Sequence, residues 1–466
     1  MGEVKMSILN TLIAIGDFLW GMPMLIFLCV VSVLYTFGNR GFQFTHFGYI
    51  MKNTFGKIFA KRQISGRGIS SFKAMCMALC NTLGVGNIAG VALAIAMGGP
   101  GAVFWIWIAG LLAMIIKYGE ITLGVKYREI DSNTGMYRGG IMWYIEKGLG
   151  KRWRWIAVAY AAIYTVAMVN APAVQINTIA SSITAYLDIP SLLIGIVLAV
   201  LMVSVLIGGV RRISDFAGVV VPFMSLTYLI VALAVLVMNA DKIPGVIGMI
   251  FQYAVSDISA MAGGFGGATV ALAARYGLAR GFYSNGAGTG DAPFAHSSAD
   301  VDHPSEQGMW GVGEVVVDVI VCTCTALVIL VTGAWKTGET GAALTAKAIS
   351  INFDSSVFGN LFISVIILFF GFTTALACAY IGELCLQYFT KRRAVLQVYR
   401  FIICFAAACA TNPLLVERID ILWRVGDFNT AVSIMLSLLA LVLMRKDVYE
   451  CTRGYKKFIK EEKLQE

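Results

Sequence analysis

Residues Asn81 to Gly90 read NTLGVGNIAG and lie inside an apolar run, 69–97, that is long enough to cross a bilayer. Gly84 and Gly86 stand at its middle, flanked by Asn81 and Asn87. Glycine is a poor helix former, and hydrocarbon offers nothing to a side-chain amide or an unpaired backbone group. The stretch is therefore predicted to interrupt its own helix and to leave backbone N–H and C=O groups without intrahelical partners.

The rest of the chain agrees with a membrane setting. Of 466 residues, 58% are hydrophobic and 14% charged, with a mean hydropathy of +0.77, which excludes an ordinary soluble domain. Apolar runs of about 20 residues or more fall near 18–37, 69–97, 100–125, 155–187, 190–208, 216–239, 244–274, 310–334, 357–389, 398–413 and 420–444. They predict an all-α polytopic protein of about eleven transmembrane helices, with the lipid bilayer as its first partner.

The net charge of +9 does not point to nucleic acid, because the basic residues form no single patch. They fall in alternate segments: Lys52, Lys57, Lys61, Arg62 and Arg67; Lys147, Lys151, Arg152 and Arg154; Arg211 and Arg212; Arg275 and Arg280; Lys391 to Arg393; and the tail after Arg445. The positive-inside rule makes those segments cytoplasmic, which puts the N-terminus outside and the C-terminus inside a plasma membrane. The first span has no small-residue cleavage site before it and is expected to stay as an anchor. Most of the ten cysteines lie in apolar runs, where a thiol behaves as a small hydrophobe, so neither a disulfide framework nor a cofactor or resident metal is expected. Cys322 and Cys324 do not make a metal pair, since i and i+2 diverge by about 200° on a helix.

Behind the anchor (1–40) and a basic loop (41–68), the chain divides into halves of five helices each, 69–240 and 241–444, with opposite orientation, followed by a tail (445–466). Each half opens on a glycine-interrupted helix, NTLGVGNIAG in the first and AGGFGGATV, Ala262 to Val270, in the second. Paired interruptions in two inverted halves mark a transporter site near the bilayer midplane. Freed N–H groups there suit a carboxylate, and freed carbonyls suit a cation. A small-residue packing face would also explain either stretch alone; the coincidence of both, with Asn81, Thr82 and Asn87 in the first, favours a site.

The stretch GNIAGVALAIAMGGPGAVFWIWIAG, Gly86 to Gly110, resembles the signature of the sodium:alanine/glycine symporter family, which has the inverted-repeat fold of the bacterial leucine transporter. KYGE (117–120), VKYRE (125–129), EKGLG (146–150), VQINT (174–178), VPFM (221–224), DHP (302–304) and VCTCTALV (321–328) support it, so the resemblance covers nearly the whole chain. It implies a sodium-coupled symporter for a small neutral amino acid, and not an enzyme. It also implies a sodium site made of the carbonyls of Cys80, Leu83 and Phe370 and the hydroxyls of Thr373 and Thr374. An all-oxygen set of that kind suits a hard cation.

For the amino acid, the resemblance implies that the carboxylate meets the backbone of Gly84, Val85 and Gly86, beside Thr82 and Asn87. The ammonium is then expected near Gln175, Asn177 and the backbone of Gly263, Gly266 and Gly267, with Phe265 as a lid. The intramembrane charges have plainer readings: Lys117 and Glu120 pair at i, i+3 near a helix end. Glu314 and Asp318 lie one turn apart with no evident basic neighbour, which keeps proton coupling open as an alternative. The loop with His296, Asp300, Asp302 and His303 is expected to be exposed. Two departures from the family pattern stand out. SNGAGTGD, Ser284 to Asp291, has Gly286 where the family often has glutamate and Asp291 where it has serine, and Cys378 replaces an expected tryptophan. The second departure admits a neutral amino acid larger than alanine.

Overall fold

A computed structural model describes residues 16, 18–19, 21–58, 65–256, 270–353, 355–412 and 419–465, with only the backbone of 419–424, 427 and 460–465. The segment holding Gly263, Phe265, Gly266 and Gly267 lies outside the described residues.

A peripheral helix α1 (Met22–Gly38) is followed by the helices of the first half: α2 (Ser71–Thr82), α3 (Ala89–Gly98), α4 (Ala102–Lys126), α5 (Ile141–Leu149), α6 (Arg154–Thr184), α7 (Ser191–Leu206) and α8 (Gly209–Met238). The second half contains α9 (Ile243–Val255), α10 (Val270–Asn285), α11 (Ala292–His296), α12 (Pro304–Val331), α13 (Gly341–Phe353), α14 (Ser356–Phe389), α15 (Arg393–Cys409) and α16 (Ile419–Gln465). A two-stranded antiparallel hairpin, Glu129–Ile130 with Tyr137–Arg138, joins α4 to α5. Among the described residues six helices are long and apolar enough to cross a membrane, and α2 with α3 makes a seventh if the bent pair is one span. Helices α1 and α7 are apolar but shorter.

Local chemistry explains the helix ends that shape the centre. Ser70 caps α2, its hydroxyl accepting the N–H of Lys73 at 3.3 Å. Pro172 inside α6 removes one backbone bond a turn before Gln175. Small residues let helices approach: Gly277 and Gly281 of α10 lie against Ala102, Ile106 and Ala109 of α4, where a Cβ on either glycine would collide.

The two ends of the bundle are distinguished by contacts. On one side Ile69 pairs with Ala299, Arg211 donates to the carbonyl of Gly66 at 2.8 Å, and Lys73 meets Asp215 at 2.5 Å. At the other end Gly98 lies against Ala273 and Gly101 against Tyr253. Helix α10 thus starts beside the α3–α4 turn and runs back toward the first side. This corrects one expectation. Arg275 and Arg280 lie within α10, not in a loop. An apolar window registers hydrophobicity and misses the fact that a helix carrying two arginines can be buried along its glycine face.

Candidate transport site between two helix breaks

The first break falls where the sequence places it. Helix α2 stops at Thr82; Leu83 leaves the helical region (φ −85°, ψ 89°), Gly84 is extended, and a 3₁₀ turn, Val85–Asn87, leads into α3. The two helical pieces meet at 65°. Asn87 organises the turn: its Oδ1 accepts the Gly84 N–H at 3.0 Å. Its Nδ2 donates to Ser284 Oγ at 3.0 Å and to Asp318 Oδ1 at 2.5 Å. On the other flank the Thr82 hydroxyl donates to Glu314. Two carboxylates one turn apart on α12 therefore grip both sides of the break.

Glu314 does have basic neighbours, contrary to expectation. Lys117 Nζ lies 2.8 Å from Oε1 and His296 Nε2 3.2 Å from Oε2, all three side chains being buried. Lys117 and Glu120 do not pair with each other. Helix α4 packs face to face on α12, so Lys117 points across that interface, and Glu120 instead accepts the Gly290 N–H at 3.0 Å and the Ser437 hydroxyl at 3.1 Å. His296 is also corrected: it lies on α11 in the core, with Gln307 Nε2 2.7 Å from its Nδ1, and not in an exposed loop.

The second break among the described residues is in SNGAGTGD. Helix α10 ends at Asn285, Gly286, Gly288 and Gly290 take φ of +60°, +86° and +80°, and α11 resumes at Ala292. Side chains rarely adopt that region, so three alternate glycines write this turn. Tyr160 donates to the Thr289 carbonyl at 2.7 Å, and Glu120 takes the Gly290 amide. Sequence reasoning saw these residues as a departure from a pattern and missed the break. The G-x-G spacing it shares with Gly84–Gly86 was the available signal.

A cavity of about 500 Å³ separates the breaks. Thr82, Gly84, Val85 and Gly86 line it from the first, Gly286, Ala287 and Asp291 from the second, Tyr164 and Gln175 from α6, and Thr374 and Cys378 from α14. The Gly84 amide is occupied by Asn87, while the Val85 and Gly86 N–H groups open the next turn and, as first-turn amides, have no intrahelical acceptor. Gly84 also makes room for α14, since its Cβ would lie 3.1 Å from Thr374 Oγ1. That hydroxyl is 2.9 Å from the Cys80 carbonyl and 2.8 Å from the Phe370 carbonyl. Thr373 shares the Phe370 carbonyl at 3.0 Å, bonds the Phe369 carbonyl at 3.0 Å and faces Met224 Sδ at 3.8 Å. Leu83 is buried at the break itself.

Cys80 and the turn of α14 from Phe370 to Thr374, distant in sequence, thus meet through Thr374. Two expected substrate contacts do not line the cavity. Asn177, two residues beyond Gln175 and so on another face of α6, donates to the Ala410 carbonyl at 2.7 Å and bridges helices. Asn87 is fully buried behind the break and acts on the cavity only through the Gly84 amide and Asp318.

A helix break and a glycine turn thus face each other across the cavity. The profile of the sodium:alanine symporter family fits residues 5–466. The chain belongs to the sodium:alanine symporter family. It is 33% identical over 468 residues to the sodium/alanine symporter AgcS of Methanococcus maripaludis, covering 98% of both chains. It is 34% identical over 417 residues to the sodium/proton-dependent alanine carrier protein of Bacillus sp. strain PS3, covering 86% of this chain and 91% of that one. Among solved structures, MhsT in complex with L-phenylalanine is similar at a TM-score of 0.56 and 12% identity, covering 84% of this chain and 99% of that one. The fold is thus of the leucine-transporter type, and the chain is a multi-pass membrane transporter, not an enzyme.

Proposed function

We propose that this member of the family is a symporter that imports a small neutral amino acid, alanine being the reference substrate, on the inward sodium gradient. The observation that carries the reading is the meeting of the first break with α14. The Cys80 and Phe370 carbonyls each lie within 3 Å of the Thr374 hydroxyl, beside first-turn amides that open on the cavity. Sodium bound among those oxygens would fix the angle between α2 and α3, and so aim the Val85 and Gly86 amides at a carboxylate. Rocking of the bundle around the loaded site would give alternating access.

Uptake of labelled alanine into proteoliposomes tests the reading. An imposed inward sodium gradient should drive accumulation; uptake that ignores the gradient would refute the coupling. A second reading, proton coupling, is favoured by one observation: the relative from Bacillus sp. is named as sodium/proton-dependent. A pH gradient applied without sodium separates the two, since only proton coupling gives accumulation there.

A further inference from the structure

Asp291 closes the second break and lines the cavity. One carboxylate oxygen, Oδ2, accepts from Asn81 Nδ2 at 2.9 Å. The other, Oδ1, is buried and has no hydrogen-bond partner, and among the described residues no cation lies within ion-pairing distance of the carboxylate. The nearby lysine, Lys117, is already committed to Glu314. A carboxylate at this depth held only by neutral groups, Asn81 with the hydroxyls of Tyr164 and Thr289 beside it, and without an ion-paired counter-charge is costly in a protein interior, and a ligand that completes it removes that cost.

We infer that Asp291 is the anionic pole of the substrate cavity and receives the ammonium group of the transported amino acid. This rests on the amino-acid reading proposed above. The local geometry selects among cations. A bare sodium ion needs a shell of oxygens free to coordinate it, whereas the groups around this carboxylate are donors to it or already engaged: the amide N–H of Asn81, the hydroxyls of Tyr164 and Thr289, and the thiol of Cys378, which itself reaches Asn81 Oδ1 at 3.4 Å. A single free oxygen flanked by donors offers no such shell. It is the complement of a directional N–H donor, and an ammonium group carries three.

The placement along the broken helix also orients the substrate. Asn81 and Asp291 stand before the break, the Val85 and Gly86 amides stand at it, and Arg280 stands beyond it, its stem 3.6 Å from where a Cβ on Gly90 would lie. The cavity is therefore negative at one end and positive from the break onward. A zwitterion lies with its ammonium at Asp291 and its carboxylate at the break. Gln175, whose Oε1 is also buried without a partner, adds a second acceptor to the same lining.

The test uses the purified full-length protein at saturating sodium, with thermal stabilisation as the readout, and compares alanine with lactate, which replaces the ammonium by a hydroxyl. The wild type should respond to alanine at concentrations at least 100-fold below those needed for lactate. Asp291→Asn should raise the alanine concentration for half-maximal stabilisation at least tenfold, leave lactate within twofold, and leave sodium half-saturation within twofold. Asp291→Ser carries the same expectation and serves if the asparagine variant does not fold. A variant that keeps both the alanine affinity and the preference over lactate overturns the assignment. So does a variant that shifts sodium half-saturation while keeping the preference, which would place Asp291 on the ion. If the wild type itself answers to no neutral amino acid, the amino-acid reading fails, and the ammonium assignment falls with it.

Discussion

The two breaks do the same work with different chemistry. The first is made by side chains: Asn87 folds back to take the Gly84 amide, and Thr82 and Asn87 reach outward to Glu314 and Asp318 on α12. The second is made by backbone freedom: Gly286, Gly288 and Gly290 adopt left-handed φ, with the Gly290 amide held by Glu120 of α4 and the Thr289 carbonyl by Tyr160 of α6. Each break is thus held by the long helix that follows the other one. Lys117 of α4, paired with Glu314 of α12, ties the two holding helices together.

The largest expected effect lies where the clamps meet. Glu314→Ala removes the partner of Lys117, Thr82 and His296 together and leaves a buried ammonium unpaired, a loss of about 3–5 kcal/mol. Thermal unfolding should fall steeply and uptake should be lost; an unchanged melting temperature would show that the two halves are not joined there. Next in size is Gly290→Ala. At φ +80°, with Tyr160 OH 2.9 Å from the new Cβ, it should cost about 1–2 kcal/mol from the backbone alone. Gly86→Ala is the contrast: its Cβ meets nothing nearer than the Tyr283 ring at 3.8 Å, so stability should hold while alanine affinity drops. Equal destabilisation by the two would erase the distinction between a side-chain break and a backbone break.

Smaller still, Asn87→Ala forfeits the cap on Gly84, worth about 1 kcal/mol, and should weaken alanine and sodium binding together, as titrations of each would show. At the sodium site Thr374→Ala should raise the sodium concentration for half-maximal uptake several-fold more than Thr373→Ala. Thr374 bridges to Cys80 of the first break, while Thr373 reaches only carbonyls of its own helix and the Met224 sulfur of α8. Equal shifts would mean that the α2–α14 bridge is not what sodium uses.

The part of this arrangement that was legible in sequence is the part written in unusual residues. Gly84 and Gly86 between two asparagines, in a run that is otherwise apolar, point to a broken helix without any structure, and Thr374 of FFGFTTALA reaches the Cys80 carbonyl beside it. The expected break at AGGFGG lies outside the described residues, and the break at SNGAGTGD was not anticipated. Apolar character marks a span, and the polar, arginine-bearing α10 reads as a loop until its glycine face is seen packed on α4. The clamps were not legible for a different reason. Lys117, Glu314 and His296 are 179 to 197 residues apart at Lys117–His296 and Lys117–Glu314, so spacing along a helix can suggest only local partners such as Glu120. Asn177 shows the converse: a polar residue in a span is a fair candidate for a ligand until a neighbouring carbonyl, here Ala410, claims it.

The central claim is that sodium at the first break prepares the cavity for the amino acid, which makes the two bindings thermodynamically coupled. Titrating alanine into the purified protein at a series of sodium concentrations tests it most directly. Alanine affinity should rise about tenfold or more from sodium-free to saturating sodium, and alanine should tighten sodium by the same factor, as reciprocity requires. An alanine affinity that stays constant across the sodium series would contradict the account.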